Sequence, residues 1–258
     1  MKNLHKFLLP AAVMFAMASC TPEETPEPEI PTTTTPTAPT PPQPTINGVN
    51  GVLVALDLDF SITQMGISVP LNTEMGIAAF YNTPGDTTMV DAGTVKINNV
   101  SLTKNANNSY LVTAGIPSQE PSTLNYDGGN TNWSVSGAGS IPAITGNYAY
   151  NLPSYSGTIP TDINKANGLT LNLSGTMSNT DSVYVVIISG STSFMKSYAP
   201  SASVSISASD LSGLTASSAT SPAYIEIVPW KVIGYQTISG KTFAFVNERA
   251  YVRTVNIN

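Results

Sequence analysis

The chain reads as an all-β protein built on an antiparallel β-sandwich, and three observations say so. From Gly51 onward the apolar residues recur with period two rather than 3.6. Clusters of Gly, Pro, Asn and Asp break these runs at fairly regular spacing, as in sandwiches and barrels. No stretch longer than a turn or two carries helical periodicity.

The first element is MKNLHKFLLPAAVMFAMASC. Lys2 and Lys6 precede a short apolar run from Phe7 to Met17, and Ala18 and Ser19 lead into Cys20. A basic start, a short apolar stretch and small residues at a cleavage point predict a secretory signal over residues 1–19. A membrane span needs about 20 apolar residues, and this run is shorter and broken by Pro10. Met17-Ala18-Ser19-Cys20 closely resembles the lipobox of bacterial lipoproteins, with methionine where leucine is usual. The resemblance implies that Cys20 is lipidated and becomes the mature N-terminus. No later segment is long and apolar enough to cross a bilayer, so the expected membrane contact is the lipid at Cys20 alone.

The second element, Thr21–Pro44, reads TPEETPEPEIPTTTTPTAPTPPQP. It has almost nothing apolar to bury and so is expected to remain an unfolded tether over residues 20–45. Its prolines favour extended polyproline II, which at about 3.1 Å per residue spans up to roughly 70 Å.

The body begins with GVLVALDLDF. Val52, Val54, Leu56, Leu58 and Phe60 are expected on a core face, with Leu53, Ala55, Asp57 and Asp59 on a wetter one. Further strands are expected at Met75–Tyr81, Val90–Ile97, Tyr110–Thr113, Asn132–Ser136, Leu169–Leu173 and Val183–Ile188. The last four are Ser203–Ser207, Tyr224–Val228, Thr242–Val246 and Tyr251–Ile257, with one helical turn at Asp210–Leu214. The continuously apolar Val183–Ile188 reads as a central strand covered on both faces. Trp133 and Trp230 read as packing residues. The body is longer than one seven-stranded sandwich needs, and Pro142–Pro160 is the best place to cut it. Two sandwiches, residues 46–148 and 149–258, are the expectation, with a single large sandwich or jelly roll as the alternative.

Composition removes whole classes of chemistry. Cys20 is the one cysteine, and His5, the one histidine, lies in the signal. The mature body therefore cannot form a Ser-His-Asp triad, a Cys-His pair, a disulfide or the usual zinc site. Gly137-Ala138-Gly139 lacks the lysine and third glycine of a phosphate loop. The formal charge is −6; losing Lys2 and Lys6 takes it to −8, and four tether glutamates leave −4 from Thr45 onward. Such a body is not expected to bind nucleic acid, which demands a basic footprint. Glycoside hydrolysis by two carboxylates survives as a third reading, and no catalytic residue is assigned. No metal is expected. Asp127-Gly128-Gly129-Asn130 could offer oxygen ligands to calcium but reads first as a β-turn.

Lipobox, acidic residues Glu23 and Glu24, Pro/Thr tether and β body together resemble Bacteroidota surface lipoproteins, whose bodies are often Ig-like sandwiches in tandem. The resemblance implies an outer-membrane, lipid-anchored protein facing the exterior, with no cofactor besides its lipid. It also implies a non-catalytic module binding polysaccharide, or alternatively an adhesive or structural protein binding protein partners. Sugars stack on flat rings, so the candidate ligand residues are Tyr148, Tyr150 and Tyr155, with Trp230 and Tyr235 behind them. Asp86-Thr87-Thr88 and Asp181-Ser182-Val183 resemble the Bacteroidota O-glycosylation triplet, marking Thr87 and Ser182.

Overall fold

Strand-forming sequence makes up most of the body, and in the computed structural model it pairs as follows. The structure describes residue 44 and residues 46–64, 67–114, 123–126, 129–218 and 221–258, with side chains described except at 62–71. Cys20, most of the tether and the Asp127-Gly128 part of the calcium candidate lie outside these residues. In chain order the strands are β1 (Gly51–Gln64), β2 (Ile67–Phe80), β3 (Val95–Ile97), β4 (Val100–Ser101), β5 (Thr103–Lys104) and β6 (Tyr110–Thr113). There follow β7 (Asn130–Val135), β8 (Ile144–Ala149), β9 (Ser154–Tyr155), β10 (Asp162–Ile163), β11 (Leu169–Asn172) and β12 (Met177–Ser178). The last are β13 (Ser182–Ser189), β14 (Thr192–Tyr198), β15 (Ser203–Ile206), helix α1 (Ala208–Leu211), β16 (Ala223–Ile238) and β17 (Lys241–Ile257).

The all-β expectation holds, and the sheets stack as a sandwich-like, multi-sheet arrangement. Nine strands form the main sheet, in the order β14-β13-β16-β17-β1-β2-β6-β5 with β10 beside β17. Most neighbours are antiparallel, but β1 runs parallel to β17 over eleven pairs, from Gly51↔Phe243 to Ser61↔Arg253. Strands from both sides of Pro142–Pro160 therefore share this sheet.

One face of the main sheet carries two separate cores. At one end Leu53, Phe80, Phe243 and Phe245 pack with Val95, Trp133, Val135 and Ile144 from the four-stranded sheet β4-β3-β7-β8. At the other end Val185, Ile187, Ile225 and Ile257 pack with Leu171, Val204, Ile206 and Leu211. The strand pairs β11-β15 and β12-β9 and helix α1 supply much of that second cover. Helix α1 is a capping box: Ser207 Oγ accepts from Asp210 N–H at 3.2 Å, and Ser207 N–H donates to Asp210 Oδ2 at 3.1 Å.

The opposite face of the main sheet carries a third core made of Val54, Leu56, Phe60, Tyr184, Val228, Val246 and Val252. This corrects the expectation of a wetter face on β1. Leu53 and Ala55 are fully buried on one side, as are Val54 and Leu56 on the other. The expected strands at Thr242–Val246 and Tyr251–Ile257 are one continuous β17, and Tyr224–Val228 is the first part of a much longer β16. A two-residue turn at Ser239 (φ 52°) and Gly240 (φ 77°) joins them. Both residues take the left-handed backbone that a type I′ hairpin requires.

Within the third core's face lie Glu226 and Glu248. Both are fully buried, and among the described residues neither carboxyl oxygen of either has a hydrogen-bond partner. Desolvation raises Glu226 to about 8. It also pushes Glu248 well above the ordinary carboxyl range, with Glu226 adding to the effect. Ionising either in this dry layer is costly, so both carry their proton at neutral pH. The unfolded chain releases those protons near 4.5. Folding stability is thus fully present below that value and falls as pH rises toward 8, by about 1.4 kcal/mol per pH unit for Glu226, with Glu248 acting in the same direction. Urea unfolding at pH 4, 6 and 8 should show this decline in the native chain. Glu226→Gln should make the decline shallower, leaving the part due to Glu248, and unfold at higher urea than the native chain at pH 8; parallel profiles for the two would contradict the assignment.

Candidate functional site

Between the two cores on the first face, the period-two pattern of β1 and β17 turns polar. On β1, Leu53 and Ala55 give way to Asp57, Asp59 and Ser61; on β17, Phe243 and Phe245 give way to Asn247, Arg249, Tyr251 and Arg253. Parallel register sets Asp57 opposite Arg249 and Asp59 opposite Tyr251. Arg249 Nε lies 3.1 Å from Asp57 Oδ2, and Arg253 Nη1 lies 3.0 Å from Asp59 Oδ1. These four side chains are 16–32% exposed, so the pairs are partly shielded from water. The Arg249 guanidinium also sits 5.3 Å from the centre of the Tyr251 ring, a cation–π distance.

Beside this belt a cleft of about 530 Å³ opens between β1, β17 and the Tyr155–Thr161 segment. That size falls within the range of small-molecule sites, about 300–1,000 Å³. Its wall combines the Tyr155 and Tyr251 rings, Ile159 and Pro160 with the hydroxyls of Ser61, Ser156, Thr161 and Thr254 and the guanidinium of Arg253. The two rings meet edge-to-face at 6.0 Å. Tyr251 Oη accepts from Tyr155 N–H at 3.1 Å, and Tyr155 Oη donates to Thr158 O at 3.0 Å. Burial holds the Tyr155 hydroxyl above its ordinary pKa, so it stays a donor. Arg253 Nη1 donates to the carbonyls of Asp59 and Val252, both at 2.9 Å. Tyr155 and Tyr251 are themselves buried, so the wall offers narrow ring edges, hydroxyl groups and the Arg253 cation paired with Asp59.

The expected ligand residues do not form a shared platform. Tyr155 lines the cleft. Tyr148 lies 4.5 Å from Phe245, and its ring covers Gly234, where any Cβ would fall 2.2 Å from the ring. Tyr150 packs 4.8 Å from Tyr126. Trp230 is on the opposite face, stacked on Tyr184 at 6.3 Å, with its indole nitrogen buried and without a hydrogen-bond partner among the described residues. Tyr235 is 57% exposed on the last part of β16. Of the glycosylation candidates, Thr87 is exposed in a turn. Ser182 opens β13, its Oγ bonded to Ser197 Oγ at 2.8 Å and to Tyr198 O at 3.1 Å. Among the described residues no group of three or more His, Cys, Asp or Glu could hold a metal ion.

Tyr251, Arg249 and Arg253 were not singled out by the sequence pattern. Their signal is the alternation Asn247, Arg249, Tyr251, Arg253, which reads as a polar stripe only once β17 is one strand and Asp57 and Asp59 are its neighbours. A second acid has a different role. Glu74 on β2 accepts from Thr123 Oγ1 at 2.8 Å and from the N–H groups of Leu124, Asn125 and Tyr126, so it clamps that loop.

Gly157 is required by close approach: a Cβ there would lie 2.4–2.5 Å from the Tyr155 ring and hydroxyl. Gly157→Ala should displace the ring and destabilise the protein by about 1–3 kcal/mol in urea unfolding. Tyr155→Phe, which removes only the bond to Thr158, should cost about 1 kcal/mol. An alanine variant as stable as the native chain would contradict the close packing of this wall.

Comparison with protein-family models, with curated proteins and with solved structures gives no match to this chain, so the functional reading rests on its own residues.

Proposed function

We propose that this chain is a non-catalytic surface lipoprotein whose β body binds polysaccharide in the cleft at Tyr155, Tyr251 and Arg253. The cleft is the single observation that carries the reading. Aromatic edges and Ile159-Pro160 suit the apolar face of a sugar ring, and four hydroxyl side chains suit its rim. The acids nearest the belt, Asp57 and Asp59, are each engaged by an arginine, which favours binding over acid–base chemistry. The lipobox-like Cys20 and the Thr21–Pro44 tether support attachment to the outer membrane with the body held at the cell exterior.

A second reading, adhesion through protein partners, draws on the outer strand β14. It forms one edge of the main sheet and leaves Met195 half exposed. Lys196 on the same strand works against edge-to-edge pairing, which makes this the weaker reading.

Affinity electrophoresis against plant, algal and host polysaccharides tests the proposal. Retardation by one glycan class, weakened by Tyr251→Ala but not by Tyr235→Ala, is the expected result. Retardation lost equally in both variants would move the site away from the cleft. No retardation across the panel would refute the binding reading, and capture of a surface protein would then favour adhesion.

A further inference from the structure

We infer that the Arg253 cleft receives a carboxylate, carried by a uronate unit of an acidic polysaccharide. The inference rests on the polysaccharide-binding reading of the same cleft and names the ligand class. Arg253 is the only charged side chain lining the cleft among the described residues. The body around it is net acidic, so a cation at this wall runs against the general charge of the protein.

The geometry of the guanidinium suits an oxyanion that presents two oxygens side by side. Nη1 is engaged by the Asp59 carbonyl, the Val252 carbonyl and the Asp59 carboxylate. Among the described residues Nε and Nη2 meet no acceptor. An arginine has five N–H donors in a rigid planar fork, and the Nε and Nη2 edge presents two parallel N–H groups. Those two donors match the two oxygens of one carboxylate, and the pair is worth more than a point charge because it fixes orientation. Asp59 and the two carbonyls hold the fork in place before any ligand arrives, which lowers the entropic cost of binding. Ser61 and Thr254 line the same cleft and can meet the hydroxyls of the same sugar unit.

The acidic body also makes the test selective. A polyanion is repelled by the body as a whole, so its binding reports a particular site rather than general attraction. Mature protein in detergent is titrated with polygalacturonate, with the same polymer fully methyl-esterified, and with dextran sulfate. The expected result is binding of the acid at least about tenfold tighter than the ester. Arg253→Lys, which keeps the charge and loses the fork, should remove most of that preference. The acid-to-ester comparison needs no variant, so it stands whether or not Arg253→Lys folds. Equal binding of acid and ester, or binding of dextran sulfate alone, would overturn the carboxylate inference and leave polysaccharide binding intact. Failure of all three, with failure of neutral glycans as well, would remove both readings together.

Discussion

The parallel pairing of β1 with β17 is the contact on which the rest of the molecule depends. It joins residues nearly two hundred positions apart and places β1 inside the main sheet, flanked by β17 and β2 rather than at an edge. Both edges of β1 are then paired, and its first half is buried on both faces, Leu53 and Ala55 under the four-stranded cover and Val54 and Leu56 in the third core. Closing so long a loop costs entropy, and eleven backbone pairs with apolar side chains on both faces offset it. The same register brings Asp57 to Arg249, which no local preference of either segment would do.

The pairing also determines where a site can exist. On the first face the cover at one end packs on Leu53 and Ala55 of β1, the cover at the other end packs on β13, β16 and β17, and Asp57, Asp59 and Ser61 continue β1 as charged and hydroxyl side chains. The cleft lies where the second core, through Tyr155 and Tyr251, meets the charged side chains of β1 and β17. On the opposite face the apolar layer takes in two carboxyl groups that have no hydrogen-bond partner among the described residues. The sheet thus has one face that handles polarity by pairing it and one that handles it by protonation. That asymmetry separates Asp57 and Asp59, paired with arginines, from Glu226 and Glu248, neutral in a dry layer.

Local pattern carried much of this architecture in the sequence. The strands at Tyr110–Thr113, Leu169–Asn172 and Ser182–Ser189 lie where the apolar runs and turn residues put them, whereas the helical turn expected at Asp210–Leu214 is Ala208–Leu211, starting earlier because Ser207 caps it. What the sequence hid was long-range. The run from Lys241 to Ile257 looked broken because Asn247, Glu248 and Arg249 are polar, yet Glu248 is buried and Arg249 is paired across the sheet. Val90–Ile97 forms a strand only from Val95 onward. Parallel pairing leaves no turn signal to read, since its two strands are not joined by a hairpin. Of the candidate ligand tyrosines, Tyr155 alone was a guide to the cleft. Its partners Tyr251 and Arg253 come to it through β17, and ring count along the chain carries no information about that.

Native-state hydrogen exchange along β1 and β17 tests the central pairing most directly. The amides of Leu53–Asp59 and Phe245–Val252 should exchange only through global unfolding, with one common free energy that falls together when denaturant is added. Exchange of β1 through a separate, lower-energy opening while β17 stays protected would contradict the account.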